Sequence, residues 1–184
     1  MGGKKLLLHV CCAACAVHVA EELKKEYDVT LYFNNPQIFP ATEYSKRLVE
    51  TKKVGKLLNI PVIEGNRESD NWLSYIEGLE GEPEGGKRCA KCFGFNLEDT
   101  AKYAKYRGFD AFTTTLTVSP HKNAEIINEI GKKLEKELGI EFCAFDFKKK
   151  DGFLKSCEKC HTHDIYRQDY CGCEFSNNIE SPKE

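Results

Sequence analysis

Lys4–Val10 is an apolar run without polar alternation, the mark of a strand buried on both faces. It leads directly into a helical spacing, with apolar residues at Ala16, Val17, Val19, Ala20 and Leu23 between Ala13 and Tyr27. A strand of that kind needs helices above and below it, and strand–helix–strand order implies right-handed crossovers between parallel strands. The alternation continues along the chain. Strands are predicted at Val29–Phe33, Ile60–Glu64, Ala111–Val118 and Ile140–Phe147. Helices are predicted from Thr42 to about Leu58, from Asp70, from Cys89 to Arg107 and from about Asn123 to Leu138. Gly108 and Gly139 stop the last two helices, and Asn34-Asn35-Pro36 ends the second strand. The expected fold class is therefore α/β, a three-layer sandwich with a parallel sheet in the middle. From Asp151 onward a helix and an irregular cysteine-bearing tail are expected.

No repeat, low-complexity block or linker interrupts the 184 residues, so a single domain is expected over 1–184. Residues 1–150 supply sheet and helices, and 151–184 the C-terminal helix and Cys-Gly-Cys tail. The longest apolar stretch, Leu6–Val10, is far shorter than the roughly 20 residues that cross a bilayer. Lys4-Lys5 precede too few apolar residues for a secretory signal. A cytoplasmic protein without membrane contact is expected. The net charge of −2 argues against a highly basic nucleic-acid binder. Lys148–Lys150 with Lys155, and Lys87-Arg88, form local basic patches that read by default as a solvated face, though such a patch can also neutralise an RNA backbone locally.

In parallel sheets ligands sit beyond the carboxyl ends of the strands. Those ends carry Cys11-Cys12, Asn34-Asn35, the Thr113–Ser119 stretch and Asp146. Cys11 and Cys12 stand where a helix begins, and its free N–H groups favour thiolate over thiol. Ten cysteines are too few for a disulfide scaffold of this length, and in a cytosolic protein point to metal or redox chemistry. Cys89-Ala-Lys-Cys92 opens a helix after a Gly-Gly loop, a spacing shared by zinc, iron–sulfur and dithiol sites. Cys11, Cys12, Cys89 and Cys92 together offer four thiolates, enough for a [4Fe–4S] cluster or an all-thiolate zinc site. Cys171-Gly-Cys173 suits redox exchange through a strained disulfide, or further metal ligation. Cys15 and Cys143 read as core. Cys157-Glu-Lys-Cys160-His161, with His163 beyond it, matches a haem-attachment pattern by coincidence or local structure, with zinc the next reading. An S-G-G-x-D-S phosphate loop is missing where Cys11-Cys12-Ala-Ala stands, which argues against an ATP-using relative.

Five ordered motifs carry a resemblance. They are His9-Val-Cys-Cys-Ala-Ala-Cys15, Phe33-Asn-Asn-Pro-Gln-Ile-Phe-Pro40 with Glu43-Tyr44, Arg88-Cys-Ala-Lys-Cys-Phe93, Thr113-Thr-Thr-Leu-Thr-Val-Ser-Pro120 and Tyr166-Arg-Gln-Asp-Tyr-Cys-Gly-Cys173. Together they span about nine-tenths of the chain, which resembles the cobalamin-independent epoxyqueuosine reductases, the QueH family. The resemblance implies a fold similar to the adenine nucleotide α-hydrolases (HUP-like). It also implies reduction of the epoxide of epoxyqueuosine, at the tRNA wobble position, to queuosine. It further implies a [4Fe–4S] cluster on Cys11, Cys12, Cys89 and Cys92, a redox-active Cys171–Cys173 pair, and no cobalamin. A mononuclear iron beside the cluster is a second arrangement the family admits, with Cys171 or Cys173 as its ligands. The Cys157–His163 segment departs from the family pattern, so no function is carried onto it.

Epoxide removal needs two electrons, a proton source and a group that polarises the oxygen. Tyr44, His121 and Lys122 are the candidate donors. Asn34, Asn35, Thr114, Thr115, Ser119 and Arg167 are the candidate substrate contacts. The expected partners are tRNA carrying epoxyqueuosine and a ferredoxin- or flavodoxin-like electron donor. Two other classes compete: a zinc-stabilised RNA-binding module and a dithiol oxidoreductase.

Overall fold

The computed structural model describes residues 3–67 and 69–176. Residues 177–184 of the expected tail lie outside the described residues. Five strands, β1 (Lys4–His9), β2 (Tyr27–Phe33), β3 (Val62–Glu64), β4 (Ala111–Thr114) and β5 (Glu141–Phe142), form one sheet in the order β3-β2-β1-β4-β5. Every pairing is parallel. Six helices flank it: α1 (Ala13–Leu23), α2 (Ala41–Leu58), α3 (Ser69–Tyr75), α4 (Lys87–Tyr106), α5 (Ala124–Leu138) and α6 (Gly152–Thr162). Helix α1 packs against α2 and α6, and α4 against α5, which gives the expected helix–sheet–helix layering.

Position in the sheet explains the composition of β1. It has a hydrogen-bonded neighbour on each side and a helical layer on each face, so Leu6, Leu7 and Leu8 are fully buried. Helix α5 approaches the sheet through Gly131. A Cβ built there would lie 2.3 Å from the Phe142 ring, so only glycine allows this contact. Asn123 caps α5 by accepting the backbone N–H groups of Glu125 and Ile126 at 2.9 and 3.3 Å. Gly139, in the left-handed region at φ 66°, ends it.

Several boundaries differ from expectation, among them β3, which starts at Val62 rather than Ile60, and α4, which starts at Lys87 rather than Cys89; three others have a local reason. Tyr27 belongs to β2 rather than to the preceding helix, because it pairs with Lys4 at the start of the β1–β2 ladder. The expected strand Ala111–Val118 stops at Thr114, and Thr115–Val118 forms a 3₁₀ turn. Thr114 starts that turn, its hydroxyl accepting the Leu116 N–H at 3.1 Å. The expected strand Ile140–Phe147 pairs only over Glu141–Phe142, at the edge of the sheet beside the short β4.

Strand order reverses direction between β1 and β4, since the chain leaves β1 outward toward β3 and returns on its other side. A crevice opens at such a switch point, outside the carboxyl ends of the strands. Cys11 and Cys12 follow β1 directly into it.

Candidate metal centre

A cavity of about 720 Å³ occupies that crevice. Six cysteines from different parts of the chain line it: Cys11 and Cys12 between β1 and α1, Cys15 on α1, Cys92 on α4, Cys157 on α6, and Cys171 in the tail. All ten cysteines are free thiols. Of the two helices that bring cysteines to the cavity near their starts, α1 carries Cys15 in its first turn and α4 carries Cys92 in its second, and neither has a side-chain bond from its N-cap residue. At α1 the N-terminal dipole favours negative sulfur, whereas at α4 the Lys87 N–H already donates to the Glu82 carboxylate at 3.1 Å.

The sulfurs of Cys11, Cys12 and Cys15 lie within 4.8 Å of one another, a group able to hold a metal. Cys11 Sγ lies 3.8 Å from Cys12 Sγ. Contacts with Cys11 and then Cys15 pull the Cys12 thiol well below its ordinary range, while the contact with Cys12 pushes Cys11 up. Cys15 is pushed well up by the same two neighbours. Cys15, one helical turn into α1, packs against the core as expected and also lines the cavity. Cys143 is buried in the core as expected. Burial pushes the Cys92 thiol up, and its sulfur accepts the Asn96 side-chain amide at 3.7 Å. Cys89 does not line the cavity. It stands at the rim, its sulfur accepting the backbone N–H of Gly85, which does line it, at 3.2 Å.

The donor chemistry fits a metal or a metal–sulfur group. Several soft thiols converge without disulfides, and three cations in the lining, Arg47, Lys122 and Arg167, can offset the charge of thiolates. Burial lowers the Lys122 ammonium, but the thiols of Cys11, Cys171, Cys15 and Cys12 outweigh it and hold it above its ordinary value.

The sequence model of the family described as "Epoxyqueuosine reductase QueH" matches residues 6–179. The chain belongs to the QueH family. Curated QueH proteins similar to it include one from Streptococcus pyogenes serotype M1, 39% identical over 181 residues, covering 95% of this chain and 71% of that protein. Another, from Thermotoga maritima, is 36% identical over 174 residues, covering 93% of this chain and 89% of its own. Both are named epoxyqueuosine reductase.

Of the other expected site residues in this QueH chain, His121, Lys122, Ser119 and Arg167 line the cavity. Tyr44 does not. It is buried against Phe33 with the Arg67 guanidinium 4.6 Å from its ring, and burial pushes its hydroxyl up to about 12. Asn34 donates to Asp99 at 2.7 Å, and Asn35 to the Val10 carbonyl at 2.8 Å, just before the cysteine pair. Thr114 bonds His9 Nδ1 at 2.9 Å, and Thr115 bonds Cys11. These four lie outside the cavity lining and support its floor and wall. Cys160 does not line the cavity; it is buried in the core, its thiol donating toward the Ala14 carbonyl at 3.9 Å.

Sequence reasoning missed Arg47, Asn96 and Gln168, which also line the cavity. Arg47 sits inside an amphipathic helical pattern, where an arginine reads as solvated, yet its side chain is only 3% exposed. Its proximity to Tyr44 in the second motif was the one available signal. Among the described residues, no helix is long and apolar enough to cross a membrane.

Proposed function

We propose that this protein is an iron–sulfur epoxyqueuosine reductase acting on tRNA in the cytoplasm. The observation that carries the reading is the convergence of six thiols on one cavity at the switch point of the sheet. In this reading Cys11, Cys12, Cys89 and Cys92 hold a [4Fe–4S] cluster. Thiolates bound to different corners of a cluster stand farther apart than ligands of a single ion, which suits pairs drawn from the starts of two helices. Cys171 and Cys173 act as a redox pair, or ligate an iron beside the cluster.

The net reaction breaks both C–O bonds of the epoxide, forms the C=C bond, consumes two electrons and two protons, and releases water. A bound cluster supplies electrons one at a time, received from a ferredoxin- or flavodoxin-like donor. The remaining work falls to the chain. A cavity of about 720 Å³ admits one unstacked modified nucleoside rather than a duplex. Ser119 and Arg167 contact the nucleoside from the wall. Lys122 and His121 stand beside the cysteines as the proton donors to the departing oxygen. The bulk of the tRNA stays outside, so one small domain suffices.

A second reading has its own observation. Cys11, Cys12 and Cys15 lie close enough to serve a single ion, as in a zinc-stabilised RNA-binding module that turns nothing over. Metal and sulfide analysis of anaerobically purified protein separates the two. The reductase reading predicts brown protein with iron and equimolar sulfide. Colourless protein with zinc alone contradicts it. A dithiol oxidoreductase would keep its activity in Cys11→Ser and lose it in Cys171→Ser; the reductase reading predicts loss in both.

A further inference from the structure

Cys171 and Cys173 are separated by one residue, yet only the first lines the cavity. Cys173 does not line it: it is buried in a small cluster with Trp72 and Ile76, against which Cys171 also packs. Between them Gly172 adopts φ 94°, in the left-handed region. Its carbonyl accepts the Phe39 N–H at 2.9 Å, and Cys173 bridges to Ile38.

The main anchor of this turn comes from α2, 124 positions earlier in the chain. Arg47 donates Nη1 to the Cys171 carbonyl at 2.8 Å and Nη2 to the Tyr170 carbonyl at 3.3 Å. Its Nε donates to Glu43 at 2.6 Å, and Glu43 also accepts the Tyr166 hydroxyl at 3.3 Å. A Cβ at position 172 would lie 2.9–3.0 Å from Nη2, Cζ and Nη1 of Arg47. The guanidinium therefore rests against the bare backbone of Gly172. A buried ion pair is a poor way to gain stability, since a well-packed apolar pair does as well or better. Its distinctive capacity is geometric, because a planar fork fixes two acceptors at once.

We propose that Arg47 is the positioning residue for Cys171. It holds residues 170–172 so that Cys171 lines the cavity while Cys173 stays in the cluster with Trp72 and Ile76. The two thiols are thereby inequivalent: Cys171 meets whatever the cavity holds, and Cys173 is the reserve partner behind it. This rests on the proposed reductase role of the pair, but its test needs no epoxyqueuosine.

The test is limited iodoacetamide alkylation of the anaerobically reconstituted holoprotein, read by peptide mass spectrometry. Cys157, which lines the same cavity from α6, is the internal reference. In Arg47→Gln the rates at Cys171 and Cys173 relative to Cys157 should rise about tenfold, the factor for losing one charge-assisted hydrogen bond. Arg47→Lys keeps the charge without the fork and should behave like Arg47→Gln. Gly172→Ala keeps the arginine but crowds it off the turn and strains the backbone at φ 94°, and should give the same rise. Unchanged ratios in Arg47→Gln or Gly172→Ala overturn the proposal. So does a parallel rise at Cys157, which would mean general loosening, or wild-type ratios in Arg47→Lys, which would reduce the role to charge.

Discussion

Thr115 and Cys11 are joined twice. The Cys11 backbone N–H donates to Thr115 Oγ1 at 3.2 Å, and the same oxygen lies 3.4 Å from Cys11 Sγ. One hydroxyl on the 3₁₀ turn after β4 therefore fixes both the backbone and the thiol at the end of β1. The turn formed where a longer strand was expected is what brings it there.

Replacing Thr115 by Val keeps the branched shape and removes the acceptor, leaving a buried N–H at Cys11 unpaired. A loss of about 1–3 kcal/mol is expected for such a group. Urea unfolding of metal-free protein measures it. Unchanged stability would show that the pairing of these residues is incidental.

Ligand roles can be separated one thiol at a time. Cys11→Ser, Cys12→Ser, Cys89→Ser and Cys92→Ser should each lower the iron and sulfide retained after reconstitution and gel filtration. Cys15→Ser should retain both, since Cys15 borders the cavity without belonging to the proposed ligand set. Loss at Cys15 with retention at Cys89 would transfer the fourth position to α1.

Alkaline pH should destabilise the metal-free protein in part through Cys160. Burial pushes this thiol up to about 11, so in the folded state it stays protonated where the unfolded thiol has already ionised. The folded state then binds more protons between the ordinary thiol value, near 9, and about 11, and stability falls as pH rises through that window. Comparing unfolding at pH 8 and pH 10.5 (roughly the two sides of the ordinary thiol value), Cys160→Ala should show a shallower decline than wild type. An identical decline would remove Cys160 from the account.

Gly131→Ala should destabilise the fold by about 1–3 kcal/mol, because the added methyl meets the Phe142 ring and α5 must shift. Chemical denaturation reads this directly. A neutral result would mean that α5 and β5 are packed less closely than the contact implies.

The layered parallel fold was legible because Leu6–Leu8 lack polar alternation and because Asn123, Gly108 and Gly139 mark helix ends. The details that failed depended on side-chain competition or on pairing partners. Thr113–Val118 has strand-like residues, and only the hydroxyl of Thr114 turns it out of the sheet. Ile140–Phe147 has the composition of a longer strand than its short neighbour pairs with. In the site, the adjacent pair Cys11-Cys12 and the Cys89–Cys92 spacing were visible because both sit at helix starts. Arg47 was not, because its partners at Tyr170 and Cys171 lie more than a hundred positions away. Cys15 was only half legible: a cysteine one turn into a helix pattern reads as core, against which it packs, and only the packed structure shows it at the cavity wall as well.

The central claim is that this cavity reduces the epoxide of epoxyqueuosine in tRNA. The direct measurement incubates anaerobically reconstituted protein with epoxyqueuosine-containing tRNA and a strong reductant, then quantifies both nucleosides by mass spectrometry after digestion. Queuosine should appear in step with the loss of epoxyqueuosine. Unchanged epoxyqueuosine, in a sample whose iron and sulfide content shows an intact cluster, would contradict the account.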